Sequence, residues 1–391
     1  MMRHARPLTM IALVGAAMAA SAWVSPTRNR LAIQFVAHPI DSGLTGGYQV
    51  IVADMNHDGK PDILAIATGM SRVQWYENPG WQRHVIATGL TAPINAAVAD
   101  LDGDGTPEVA LAHAFSTVYK SSVGIVSILT HAADLNAPWS RRDIDSVPTS
   151  HRVRFADFDA SGRPVLINAP LIGPQSLAPE YRDHVPILMY RPGAWKREVI
   201  TNDEQGVVHG ILPAVLDGGP RESLLSASFL GVFAHRYENG QWTRSQLVAG
   251  DPSAWPKSGS SDVIVGRMTG ERFLATIEPW HGNNVVVYRL RNGAWIRHVI
   301  DEAIADGHTI VVGDFDGDGR DEIVVGERAG KKSVYLYALT NAATDTWSKR
   351  TIDDGTMAAA GCAVADLNSD RKPDVVCIGT ATANLKWYEN R

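Results

Sequence analysis

Short apolar runs recur along the whole chain, each bounded by Gly, Pro, Asn or Asp. The first set reads Val50-Ile51-Val52-Ala53, then Ile63-Leu64-Ala65-Ile66-Ala67, then Val73-Gln74-Trp75-Tyr76-Glu77-Asn78, then Arg83-His84-Val85-Ile86. Runs of this length, rich in β-branched and aromatic residues, predict strands, and no stretch sustains helical spacing. The grammar then repeats: an apolar strand, an acidic loop, a second apolar strand, an aromatic third strand, and a fourth strand marked by a Trp. Those markers are Trp81, Trp139, Trp195, Trp242, Trp295 and Trp347.

Aligning the acidic loops gives the period. Asp54, Asp100, Asp157, Asp314 and Asp366 open five of them, and Val215 and Arg267 hold the same place in two eroded copies. The seven anchors lie 46 to 58 residues apart. Units of that length and strand content predict an all-β, seven-bladed β-propeller of four-stranded blades. The seventh unit stops one strand short at Trp387-Tyr388-Glu389-Asn390, while Ile33 to Ile40 ahead of the first unit matches the fourth-strand phrase. The N-terminal strand is therefore expected to complete the last blade and remove two open edges. Residues 31–391 then form a single propeller domain.

Composition narrows the setting. The 391 residues include 35 Gly and 21 Pro, as a turn-rich fold requires, and a formal charge of −6 argues against a nucleic-acid partner. Residues 1–22 run from basic through apolar to small, the order of a secretory signal peptide with cleavage after Ala22, so the protein is expected to be secreted or periplasmic. No later segment is apolar enough for a transmembrane domain. Cys362 and Cys377 flank the last acidic loop almost symmetrically, as a cross-strand disulfide or as two small buried residues. Nothing in the sequence fixes the oligomeric state.

The acidic loops follow the pattern Asp-x-Asp/Asn-x-Asp-Gly-x-x-Asp/Glu, in which alternating oxygens converge on a hard cation and Gly permits the tight turn. Four candidate calcium sets result: Asp54, Asn56, Asp58 and Asp62; Asp100, Asp102, Asp104 and Glu108; Asp314, Asp316, Asp318 and Glu322; Asp366, Asn368, Asp370 and Asp374. Arg371 replaces the Gly of the fourth set and puts its turn in question. The alternative is solvated hairpins whose acids cap backbone amides without metal.

Function is expected on the other face. Six residues before the anchors, at the entry to the innermost strand, three units carry His151, His209 and His308. The second strand returns to that face and ends in His113, Glu278 and Glu327, with His281 shortly after. Imidazole and carboxylate groups from several blades would suit Zn, Mn or Mg, with His151, His209, His308, Glu278 and Glu327 as ligands. The alternative is a set of separate polar residues at a wet rim. Longer connections on this face carry Tyr119 and Lys120, Tyr181 and Arg182, and Trp255 and Lys257. Aromatic rings there would stack on sugars, and Arg152, Arg182 or Lys257 could hold a carboxylate or polarised oxygen.

With these residues in view, the repeats resemble FG-GAP or VCBS propeller repeats. The phrase Trp75-Tyr76-Glu77-Asn78-Pro79-Gly80 with Arg83-His84-Val85-Ile86 further resembles the propeller of aldos-2-ulose dehydratases, and propeller-type polysaccharide lyases share the architecture. The resemblance implies a lyase or dehydratase performing β-elimination on a keto-sugar or uronate; the residues of the channel face add a divalent metal and His113, His281, Tyr181 and Arg152 as catalytic candidates. The rival expectation is a non-catalytic propeller binding a glycan or protein partner. No Gly-x-Ser-x-Gly elbow points to a serine hydrolase.

Overall fold

In the computed structural model residues 33–216 and 218–391 are described. They form seven four-stranded antiparallel sheets arranged as blades. The innermost strands are Gly47–Ala53, Asn95–Ala99, Ser150–Ala156, Val208–Ala214, Asp262–Met268, Gly307–Gly313 and Ala359–Ala365. Six blades run in chain order from the channel outward. In the seventh, Phe35–Ser42 pairs antiparallel with Asn384–Asn390, so the N-terminal strand supplies the outer edge and closes the ring. The signal-peptide reading of residues 1–22 lies outside the described residues.

The second strand of each blade explains why those runs are apolar throughout rather than alternating. Asp62–Ala67 is buried at every position. Its two faces serve different neighbours: Leu64 and Ile66 pack toward blade 2, Ile63 and Ala65 toward blade 7. Each junction between adjacent blades has its own apolar wedge of this kind, so the core is distributed around the ring instead of filling one centre.

Polar latches fix neighbouring blades to one another. The Tyr of the third strand donates to an Asp at the end of the outer strand one blade back: Tyr190 to Asp145 at 2.7 Å, Tyr337 to Asp301 at 2.6 Å, Tyr388 to Asp353 at 2.9 Å, and Tyr76 to Asp41 across the closure. Asn78 and Asn390, at the end of the Trp-Tyr-Glu-Asn phrase, send their side-chain amides to the Leu367 and Phe315 carbonyls of the preceding blade's loop. Hydrogen bonds to charged groups contribute about 1.5–3 kcal/mol each, so these phrases hold blade angles as well as filling space.

The acidic loops sit at the far end of the innermost strands. Their first Asp accepts the turn amide in the same way in five blades, from Gly59, Gly105, Gly162, Gly319 and Arg371. Arg371 adopts the left-handed conformation (φ 69°) that glycine takes in the other four, so its turn is kept at the cost of strain. Cys362 and Cys377 are direct partners on adjacent strands of blade 7 and form a disulfide. Among the described residues no helix is long and apolar enough to cross a membrane.

Candidate functional site

The entry positions of the innermost strands of blades 3, 4 and 6 bring three histidines together. His151, His209 and His308 are each at most 2% exposed, and their rings pack at the channel mouth: His151 against His209 at 5.1 Å between centroids, His209 against His308 at 4.8 Å. His281, from the loop that follows the second strand of blade 5, closes the group at 4.8 Å from His209 and 5.1 Å from His308. One nitrogen each from His209, His281 and His308 lies within 4.8 Å of the others, a spacing that a single metal ion can bridge. His151 stands beside this trio, its Nε2 taken by Tyr48 Oη at 2.6 Å.

Hydrogen bonds assign the tautomers. His308 Nδ1 donates to the Ala360 carbonyl at 2.6 Å, leaving a buried Nε2 lone pair without a partner. Arg328 donates to His281 Nδ1 at 3.0 Å, so the His281 proton sits on Nε2 and points to His209 Nε2 at 3.2 Å. His209 is then protonated at Nδ1, toward Ser261 Oγ at 3.2 Å. All four rings are held neutral. Burial depresses the pKa of His151, His209 and His308 far below the ordinary value, and the nearby Arg152 adds to it. For His281, burial and then Arg328 bring it to about 3.

Below the mouth lies a cavity of about 170 Å³ whose wall includes Tyr48, Gln49, Asn95, Arg152, Arg154, Asp262 and His308. The polar pair Arg152 and Arg154 stands out in the innermost strand of blade 3, where most innermost strands are apolar. That departure is the sequence signal for this cavity. Arg328 and Asp306, which orient His281, carried no such signal because they sit in loops of blade 6 without counterparts in register.

The other sequence candidates go elsewhere. His113 turns into blade 2, where it contacts Ser127 at 2.9 Å and Ser127 donates to Asp143. Glu278 accepts from Thr276 and Tyr288 at 2.7 Å and pairs with Arg297 at 2.8 Å inside blade 5. Glu327 accepts the Ala305 and Lys331 amides and the Tyr335 hydroxyl in blade 6. Neither glutamate joins the imidazole group: Glu278 is aimed at the third and fourth strands of its own blade, and Glu327 at its third strand and two neighbouring loops. Tyr181 stands in the rim, edge-on to Trp280 at 5.5 Å, and Trp280 lies over His281 at 4.7 Å. With Phe229 and Trp255 they make an aromatic shelf built by the long connections. Arg182 lies over Trp255.

In the acidic loops, carboxylate oxygens converge within 4.8 Å in two cases, Asp100 with Asp102 and Glu108, and Asp314 with Asp316 and Glu322. Asp314 Oδ1 is buried without a partner. The fifth-position acids are drawn aside, Asp58 by Lys60, Asp104 by His131 and Asp318 by Arg320. In the other two sets, Asp62 and Asp374 spend both oxygens on backbone amides.

Residues 54–111 and 314–377 match the model of the FG-GAP-like repeat. The chain is a seven-bladed propeller that carries FG-GAP-like repeats in its first two and last two blades. Residues 123–291, which carry His151, His209 and His281, match the β-propeller domain of aldos-2-ulose dehydratase. The aldos-2-ulose dehydratase of Phanerodontia chrysosporium is 26% identical over 300 residues, covering 68% of this chain and 32% of that protein. This propeller therefore spans about a third of the relative's length. Among solved structures, the extracellular domain of a one-component system from B. thetaiotaomicron overlaps at a TM-score of 0.56 with 11% identity, over 90% of this chain and 39% of that one. A chain of the mitotic checkpoint complex overlaps at 0.57 with 10% identity, over 97% and 98%. Both show the fold alone.

Proposed function

We propose that this propeller is an exported, metal-dependent lyase or dehydratase that performs β-elimination on a sugar. One observation carries the reading: His209, His281 and His308 converge at the channel mouth, inside a propeller whose sequence matches that of aldos-2-ulose dehydratase. The donor set fits a zinc- or manganese-type ion. The His308 Nε2 lone pair is buried and unused, and its Nδ1–H is fixed by a carbonyl, the arrangement metal-binding imidazoles adopt. A divalent ion bound there would polarise a carbonyl or carboxylate oxygen and acidify the adjacent C–H.

The chain's own groups supply the rest. Tyr48 Oη lines the cavity with His151 behind it at 2.6 Å, so a proton taken from the substrate by this pair can be held between Oη and Nε2 and returned to the departing oxygen. The aromatic shelf of Tyr181, Trp255 and Trp280 offers ring faces to a glycan. That shelf also favours the second reading, a propeller that binds a glycan without turning it over. The acidic loops of blades 2 and 6 are assigned to structural calcium, and residues 1–22 to export.

Elemental analysis of purified protein tests the reading. A transition metal in addition to calcium is expected, lost from a folded His209→Ala/His308→Ala variant together with the rise in ultraviolet absorbance that elimination from keto-sugars or uronates produces. Calcium alone, with no absorbance change, would leave the binding module.

A further inference from the structure

The wall of the cavity below the channel mouth carries more positive than negative charge. Arg152 is 6% exposed and Arg154 half-buried, and among the described residues no carboxylate approaches either within ion-pairing distance. Arg154 is spoken for by neutral acceptors, Asn95 Oδ1 at 2.8 Å and the Val153 carbonyl at 2.7 Å. Arg152 has only a marginal contact, 3.5 Å to His209 Nε2, and lies over the Tyr48 ring at 5.2 Å. The cavity's one carboxylate, Asp262, acts on both arginines from farther off and turns Oδ1 to the Val263 amide at 2.9 Å. Arg328 is already neutralised by Asp306, with contacts at 2.8 and 3.1 Å. Two guanidinium groups thus face one carboxylate and four neutral imidazoles, with room for a small group.

A buried guanidinium without a counter-ion is costly unless a ligand supplies one. We propose that the cavity is a carboxylate-binding subsite in which Arg152 receives the acid group of a uronate sugar, so that the substrate is an acidic rather than a neutral sugar. The planar fork of arginine suits a carboxylate bound through both oxygens. Tyr48 and His151, on the same wall, then stand next to the carbon that bears the acid group. Its hydrogen is the one that elimination removes. This inference rests on the carbohydrate reading of the channel but not on the identity of any metal.

The test is calorimetric binding of sodium glucuronate, its neutral methyl ester and inorganic phosphate to the metal-supplemented full chain. Glucuronate is expected to bind at least about tenfold more tightly than the ester. Arg152→Gln is expected to abolish that difference, and Asp262→Asn, which removes the competing charge without changing shape, to widen it. Circular dichroism checks that both variants fold, and Arg152→Lys, which keeps charge but loses the fork, serves if Arg152→Gln does not. Equal binding of acid and ester, or no binding of either, overturns the proposal. Phosphate binding more tightly than glucuronate overturns it too, marking a general anion site. Discrimination by protein that retains no transition metal on elemental analysis would leave this inference standing, while the metal count itself decides the metal-lyase reading.

Discussion

His281 Nε2 lies 3.2 Å from His209 Nε2, and the proton between them belongs to His281 because Arg328 donates to its other nitrogen. For His281 to offer Nε2 to a cation, that proton must move to Nδ1. Arg328 cannot accept it there, whereas Asp306 Oδ1, at 3.4 Å, can. Arg328 and Asp306 therefore act as opposed positioning residues. Asp306→Asn is expected to weaken zinc binding by about 10–100-fold. Arg328→Met, by freeing Asp306 and removing a cation, is expected to strengthen it. Competition against a chromogenic chelator measures both, and a shift of both variants in one direction contradicts the tautomer assignment.

Calcium stoichiometry follows from loop geometry. Four loops carry the motif, but three carboxylates converge only in those of blades 2 and 6, while in blades 1 and 7 an Asn replaces one of them and Asp62 and Asp374 spend both oxygens on backbone amides. Two ions per chain are expected. At a hundredfold excess over Kd each adds about 2.7 kcal/mol to stability. Asp316→Ala, at a buried position, should lower the count to one and halve the destabilisation caused by EGTA. A count of four would show that the Asp62 and Asp374 hairpins give up their backbone amides to the ion.

Glu204 predicts an acid-sensitive blade. It is fully buried and accepts from Ser226, Ser228 and Arg244, with His235 at 3.4 Å. Burial alone would raise its pKa, but His235 and Arg244 outweigh burial and bring it down to about 2. A carboxyl depressed in the folded state stabilises the fold above its unfolded pKa of about 4.5, and that contribution disappears as pH falls toward 2. Glu204→Gln should cost about 3 kcal/mol at pH 7 and far less near pH 2. Urea denaturation at several pH values measures this; a pH-independent loss would assign the effect to packing.

The fold was legible because the acidic loop repeats in register, and Phe35–Ser42 could be placed by its phrase alone. The three channel histidines were legible for the same reason, each lying six residues before an anchor. His113, Glu278 and Glu327 went astray because strand arithmetic sets the height of a residue but not the direction of the last side chain. His281 and Asp306 were invisible as partners, since loops outside the repeat bring them together. The Tyr–Asp latches escaped notice too: both halves recur in the sequence, yet each Tyr finds its Asp in the preceding blade.

The closure of the ring supplies the last prediction. At every latch the strand bearing the Asp runs on into the blade of the Tyr, but only Asp41 stands on a strand, the N-terminal one, that has no chain connection to the rest of its own blade and pairs with Asn384–Asn390 by hydrogen bonds alone. Opening that seam exposes the edge of blade 7 and breaks the wedge around Val50, Ile63, Val376 and Ile378 in one event. Asp41→Ala is therefore expected to speed unfolding more than Asp353→Ala does, although each removes a single tyrosine acceptor worth about 1.5–3 kcal/mol. Deleting residues 1–42 should leave a chain that aggregates through the bare edge. Stopped-flow unfolding of the two point variants decides the matter. Equal acceleration would mean that the ring opens at no preferred junction.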